Sequence, residues 1–152
     1  MVRLLEIFMT TRESPNNLYA RVSLIFEGDD LKFEGIRKCI GVCPANEISK
    51  GTIRRLTSGT QVTAPTGSWI YKLKSEVLTA NSLLNQVLNL FPDDFSSEHE
   101  KYGIDKIRIA VYSSSNNDLA DLSIDLEHEA ISTLAKCGAS VNITFSIVTE
   151  GD

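Results

Sequence analysis

Gly67-Ser68-Trp69-Ile70-Tyr71-Lys72-Leu73 is the stretch whose reading decides the fold. It holds the only tryptophan of the chain. Trp69, Tyr71 and Leu73 fall on one face, and Ser68, Ile70 and Lys72 on the other. Period-two alternation of this kind predicts a half-buried strand over Ser68–Lys74. Helical patterns lie on both sides, so the strand is expected at the middle of the fold.

Downstream, Leu78-Thr79 leads into the best helical stripe of the chain: Leu84, Val87, Leu88 and Phe91, at i, i+3, i+4 and i+7. Pro92 interrupts it. A second helical stretch over about residues 93–102 begins with acidic residues and ends at Gly103. Lys106–Tyr112 alternates as a strand. Ser113–Asp118 reads as a polar turn, and Leu119–Ile124 as a further strand. Asp125 is placed to cap a helix that ends at Gly138, with Ala130, Ile131, Leu134 and Cys137 inward. Val141–Val148 reads as the last strand.

Upstream, residues 2–9 predict a short strand, and Ser14-Pro15-Asn16-Asn17 a turn. Tyr19–Phe26 alternates with Val22, Leu24 and Phe26 inward. Asp29 or Asp30 then suits a helix N-cap, and Phe33, Ile36 and Ile40 form the inner face of a helix stopped by Gly41. Glu47–Gly51 suits a short strand and turn. Residues 52–66 read as a long polar loop with a weak strand at Ile53–Leu56.

This order predicts one α+β domain over residues 1–152, with a mixed or mostly antiparallel sheet, about three helices on one face and ferredoxin-like layering. Apolar residues make up 42% of the chain, enough for a core without staples. The net charge of −5 argues against general nucleic-acid binding, which uses a basic surface. No apolar run reaches membrane-spanning length. Glu6 interrupts the apolar start, so no signal-peptide pattern is seen, and an odd number of cysteines fits a reducing cytoplasm.

Several pieces occur together in a set order: Glu27-Gly28-Asp29-Asp30-Leu31, Ile40-Gly41, Pro44, Lys50-Gly51, Gly67-Ser68-Trp69 and Cys137-Gly138-Ala139. In that order and spacing the chain resembles bacterial proteins of the DUF4279 domain family over about residues 19–148. Ala45 departs from the Thr or Ser expected there, and residues 1–17 fall outside the likeness. The family has no assigned function, so the resemblance implies no catalytic residues. By analogy, small α/β proteins of this kind include immunity proteins, encoded beside a toxin and neutralising it.

Candidate chemistry is sparse. Glu98-His99-Glu100 and Glu127-His128-Glu129 flank a histidine with carboxylates, but neighbours on a helix point apart and do not converge on one ion. Cys39 and Cys43 do not complete a zinc site. No metal, cofactor or catalytic constellation is expected. Asp93, Asp94, Glu98 and Glu100 form one acidic stretch and Asp118 and Asp121 belong to another. Either would steer association with a basic protein partner, or simply be a solvated helix start and turn. Lys50, Arg54 and Trp69 are the candidates for a pocket between the sheet and the loop over residues 52–66. The leading expectation is a non-enzymatic cytoplasmic interaction protein that neutralises a toxin. The alternative is a regulatory module that binds a small molecule or peptide.

Overall fold

The structure, a computed structural model, describes residues 6–11, 18–115 and 124–147. Its strands are β1 (Glu6–Thr11), β2 (Leu18–Gly28), β3 (Asn46–Ile48), β4 (Ile53–Arg55), β5 (Gln61–Thr63), β6 (Gly67–Ser75), β7 (Lys106–Ser115) and β8 (Ser140–Ile147). Its helices are α1 (Phe33–Ile40), α2 (Ala80–Leu88), α3 (Phe95–Glu98) and α4 (His128–Cys137), and a 3-10 turn spans His99–Tyr102. The sheet has six strands in the order β1-β8-β7-β2-β6-β3. β2 runs antiparallel to both β6 and β7, and β3 antiparallel to β6. β8 lies parallel to β7 and β1. The β7–α4–β8 crossover makes β8 parallel to β7, and β1, added at the edge beside β8, forms the second parallel pair in a sheet that is otherwise antiparallel.

Register turns the sequence alternation into one apolar face. Phe26 lies opposite Trp69 and Ile107, Leu24 opposite Tyr71 and Ile109, and Val22 opposite Leu73 and Val111. Val141 and Ile143 continue those rows on β8. A one-residue slip would send every one of these side chains to the other face. The helices bury their own apolar stripes against this same face. Leu83, Leu84, Val87 and Leu88 of α2, Ile36 and Ile40 of α1 and Leu134 of α4 join one core with the strand residues. The layering is therefore helices on one side of a mixed sheet. The other face carries Arg21, Ser23, Ile25, Lys72, Lys74 and Tyr112, by the same parity.

Several expectations change. β6 is not the middle strand: β2 and β7 are, because β2 is long enough to pair along both sides. Ser113–Ser115 is not a turn. β7 runs through it, held by Leu18–Ala20 on one side and Phe145–Ile147 on the other, and all three serines are buried. Neither Asp29 nor Asp30 caps α1. Lys32 occupies the N-cap without a side-chain cap bond, while Asp29 and Asp30 pair with Lys50 and Lys32 at 2.5 and 2.6 Å. Glu127, not Asp125, precedes α4. α2 ends at Leu88, before Phe91. The helix stops were legible: Gly41, Gly103 and Gly138 all adopt the left-handed conformation that favours glycine. The strand expected over Leu119–Ile124 lies, but for its last residue, outside the described residues.

The long loop is a separate antiparallel ribbon. β4 pairs with β5, Ile53 opposite Thr63 and Arg55 opposite Gln61. Backbone bonds from Gly51 N–H to Ala64 O and from Ala64 N–H to Thr52 O close its base. Every residue from Gly51 to Thr63 is exposed, including Ile53, Leu56 and Val62. Among the described residues no helix is long and apolar enough to cross a membrane.

Candidate functional site

The larger concavity lies on the helical side. It is a groove of about 520 Å3 between the end of α2, the 89–96 link and α4. Aromatic packing sets its shape. Phe95 is fully buried, stacks on Phe26 at 5.6 Å and meets Phe91 edge-on at 5.0 Å. That anchors the short α3 and holds the Pro92-Asp93 link against the core. On the opposite wall, α4 presents Glu129, Ala130, Thr133 and Cys137; Thr133 lies three or four residues from each of the others, which gathers them on one side of the helix. Thr133 Oγ1 donates to the Glu129 carbonyl at 3.0 Å, a bond that keeps the hydroxyl satisfied.

The groove brings together carboxylates that are far apart in sequence. Asp93, Glu127 and Glu129 all line it, with Lys136 the one cation beside them among the described residues, and Leu88, Phe91 and Pro92 supply apolar lining. Of the sequence-selected acidic residues that the structure describes, only Asp93 belongs to it. Asp94 is exposed alongside. Glu98 is drawn into an ion pair with Lys101, which raises the Lys101 ammonium above its ordinary value. Glu100 is exposed on the 3-10 turn. Asp118 and Asp121 lie outside the described residues. Glu127 and Glu129 read in the sequence as ordinary helix-start acids. The signal that they share a wall with Asp93 is tertiary.

The smaller concavity is a cleft of about 300 Å3 under the β4–β5 ribbon, lined by Glu27, Ile48, Arg54, Val62, Thr63, Thr66 and Ser68 among others. Arg54 reaches it as expected. Trp69 does not: its exposure is 0%, and it is stacked on Phe26 at 5.2 Å, on the face turned toward the helices. Its odd-numbered parity puts it on the opposite side of β6 from Ser68. Lys50 is instead bound to Asp29, and this hydrogen bond, together with Thr66, holds the Asp29 carboxyl below its ordinary value. Glu27 is committed to Arg108, whose Nη2 and Nε donate to its two oxygens at 2.9 and 3.2 Å.

The remaining reactive groups are dispersed. His99 Nδ1 lies 3.1 Å from the Ser96 carbonyl and 3.3 Å from that of Phe95, and its ring packs beside Phe95. His128 is exposed at the start of α4. Among the described residues no three His, Cys, Asp or Glu side chains gather in a metal-holding group. Cys43 is exposed, Cys39 half-buried and Cys137 buried, and burial pushes the Cys137 thiol up from its ordinary value. Alkylation of the folded protein at mildly alkaline pH should therefore label Cys43 at least about tenfold faster than Cys137, since the thiolate is the reactive form. Peptide-resolved mass spectrometry reads the order. Equal rates in the native protein would mean that the floor of the groove opens readily.

No curated protein and no solved structure matches the chain. A family profile described as a domain of unknown function does match, over residues 16–147, and so takes in β2 through β8, the groove and the ribbon. With that match covering most of its length, the chain belongs to the DUF4279 family.

Proposed function

We propose that this protein is a non-catalytic, cytoplasmic interaction domain of the immunity type, which binds a toxin with a basic surface and covers its working site. The observation that carries the reading is the groove between α2 and α4. Asp93, Glu127 and Glu129 stand around an apolar lining, with Lys136 as the one cation among the described residues. A concave, acidic, partly apolar surface suits a basic protrusion with a hydrophobic tip, and carboxylates at its rim would accelerate encounter through long-range attraction. The dispersed histidines and the burial of Cys137 fit a binding role better than a catalytic one.

The test is capture from the native host on tagged protein at moderate salt. The expected result is a stoichiometric partner with a basic surface, and especially the product of an adjacent gene. Triple reversal of Asp93, Glu127 and Glu129 to lysine should then slow association at least about tenfold, with the difference shrinking as salt is raised. Equal association rates for the native and reversed proteins would remove the groove from the interface.

A second reading has its own observation. Arg54 lines the cleft under the ribbon without an ion-pair partner among the described residues, next to Val62 and Ile48. That combination suits a small anionic ligand with an apolar body. A thermal-shift screen of carboxylate and phosphate metabolites discriminates, because a ligand of the folded state raises the midpoint. The Arg54→Ala variant should abolish any such shift.

A further inference from the structure

The net charge of −5 is unevenly distributed over the structure. On the side of the sheet turned away from the helices, Arg21 of β2 lies directly opposite Lys74 of β6, and Lys72 sits one row further along beside Ser23. Like charges directly opposite each other on a sheet destabilise it. None of these three cations has an ion pair among the described residues. Glu27, on the same face, is three rows from Arg21, and both of its oxygens are held by Arg108.

An aromatic platform adjoins the cations. Tyr112 of β7 is the other cross-strand neighbour of Arg21, whose guanidinium lies 5.7 Å from the ring centroid. Tyr19 packs against Tyr112 at 5.9 Å. Both rings are half-buried, so each keeps solvent-facing area. The small polar side chains of Asn142 and Thr144 continue the rows on β8, opposite Ala110 and Tyr112. The ribbon lies at the Glu27–Ser68 end of this face. Arg21, Lys72 and Lys74 are exposed, whereas Ser114 and Ser146, in the row of Tyr19, are buried, so the accessible part of the face is the strip of cations beside Tyr112.

We infer that this open sheet face binds single-stranded nucleic acid. Unpaired bases stack on Tyr112 and Tyr19, while Arg21, Lys72 and Lys74 neutralise phosphates. Single strands expose both of the groups this surface is built for, base faces for the rings and backbone phosphates for the cations. A duplex offers the same phosphates but hides its base faces. An acidic protein would use the cations but not need the adjacent rings. The bound phosphates also relieve the repulsion between Arg21 and Lys74 that the free protein carries. This inference concerns the opposite side of the molecule from the acidic groove and is independent of the proposed toxin partner.

The experiment is fluorescence anisotropy of labelled oligouridylate with the purified full chain, in parallel with a duplex RNA and with polyglutamate. Binding of the single strand at low salt is expected, weaker for the duplex and absent for polyglutamate. The slope of log affinity against log salt should be about −2, as three neutralised phosphates predict for a single strand. Tyr112→Ala should weaken binding about tenfold, from loss of base stacking, while Tyr112→Phe should retain it. Arg21→Glu should weaken binding and flatten the salt slope, whereas Asp93→Lys in the groove should leave both intact. Failure to bind at low salt overturns the inference. So does polyglutamate binding as tightly as the oligonucleotide, or insensitivity to Tyr112→Ala in a variant whose circular dichroism is native.

Discussion

Replacing Trp69 with alanine is expected to lower the unfolding free energy by about 3–5 kcal/mol, among the largest single losses this fold can show. Trp69 heads the fully buried side chains, and it is one end of an aromatic column: Trp69 on Phe26 at 5.2 Å, Phe26 on Phe95 at 5.6 Å, Phe95 against Phe91 at 5.0 Å. The column ties β6 and β2 to the link that shapes the acidic groove. Alanine would leave a large cavity beside Phe26, and the surrounding strands are too well paired to collapse into it. Trp69→Phe should cost far less. The indole Nε1 is buried without a hydrogen-bond acceptor among the described residues, so removing it also removes an unpaired polar group. Urea unfolding of the three proteins checks both statements. A loss below about 1 kcal/mol for Trp69→Ala would contradict the packing described here.

Gly103→Ala should rank beside it, with a loss of about 3–5 kcal/mol that combines left-handed backbone strain with a steric clash. Gly103 has φ +74°, and a Cβ built on it would lie 2.0 Å from the carbonyl oxygen of Asp30. That oxygen is backbone and has no side-chain freedom with which to retreat. The segments cannot part cheaply either, since Lys32 N–H donates to the Tyr102 carbonyl at 2.9 Å and Asp105 N–H to that of Glu27 at 2.8 Å. Gly138 offers an internal comparison. Its φ is +62°, but a Cβ there meets nothing within 4 Å. Gly138→Ala should therefore show only the conformational term, about 1–2 kcal/mol. If the two variants lost equal stability, the close approach of Gly103 to Asp30 would not be what requires glycine there.

The two predictions also separate what could be read from the chain from what could not. Gly103 and Gly138 are both visible as helix stops, because each follows a helical run and glycine alone accepts the left-handed turn without strain. Only the fold distinguishes them: one is pressed against a carbonyl of a distant segment and the other faces open space. Trp69 is likewise visible as an inward residue of an alternating strand. Its assignment to a ligand pocket failed because both faces of a strand look equally available until the helices are placed. Parity then put Trp69 in the core and Ser68 in the cleft.

Ser113–Ser115 shows the converse error. A run of serines carries turn chemistry, yet the pairing partners on both sides extend β7 through it and bury the three residues. Tertiary hydrogen bonding outweighs a local preference of a few tenths of a kcal/mol per residue. The acidic groove was illegible for a related reason. Asp93 and Glu129 are separated by two helical segments and a strand, and no local pattern records that α3 and α4 pack together.

By itself, then, the sequence determined the long strands, the presence of the helices, their glycine stops and most of the inward residues, although Ile131 of α4, expected inward, is exposed. Those properties follow from residue types at fixed local spacing, where backbone geometry dictates the periods. The tertiary structure alone decided the strand order, the parallel placement of β8, the shared wall of Asp93, Glu127 and Glu129, and the gathering of Arg21, Lys72 and Lys74 beside Tyr112. Each of these depends on which elements become neighbours, and that choice is made by burying all the apolar faces in one core at once.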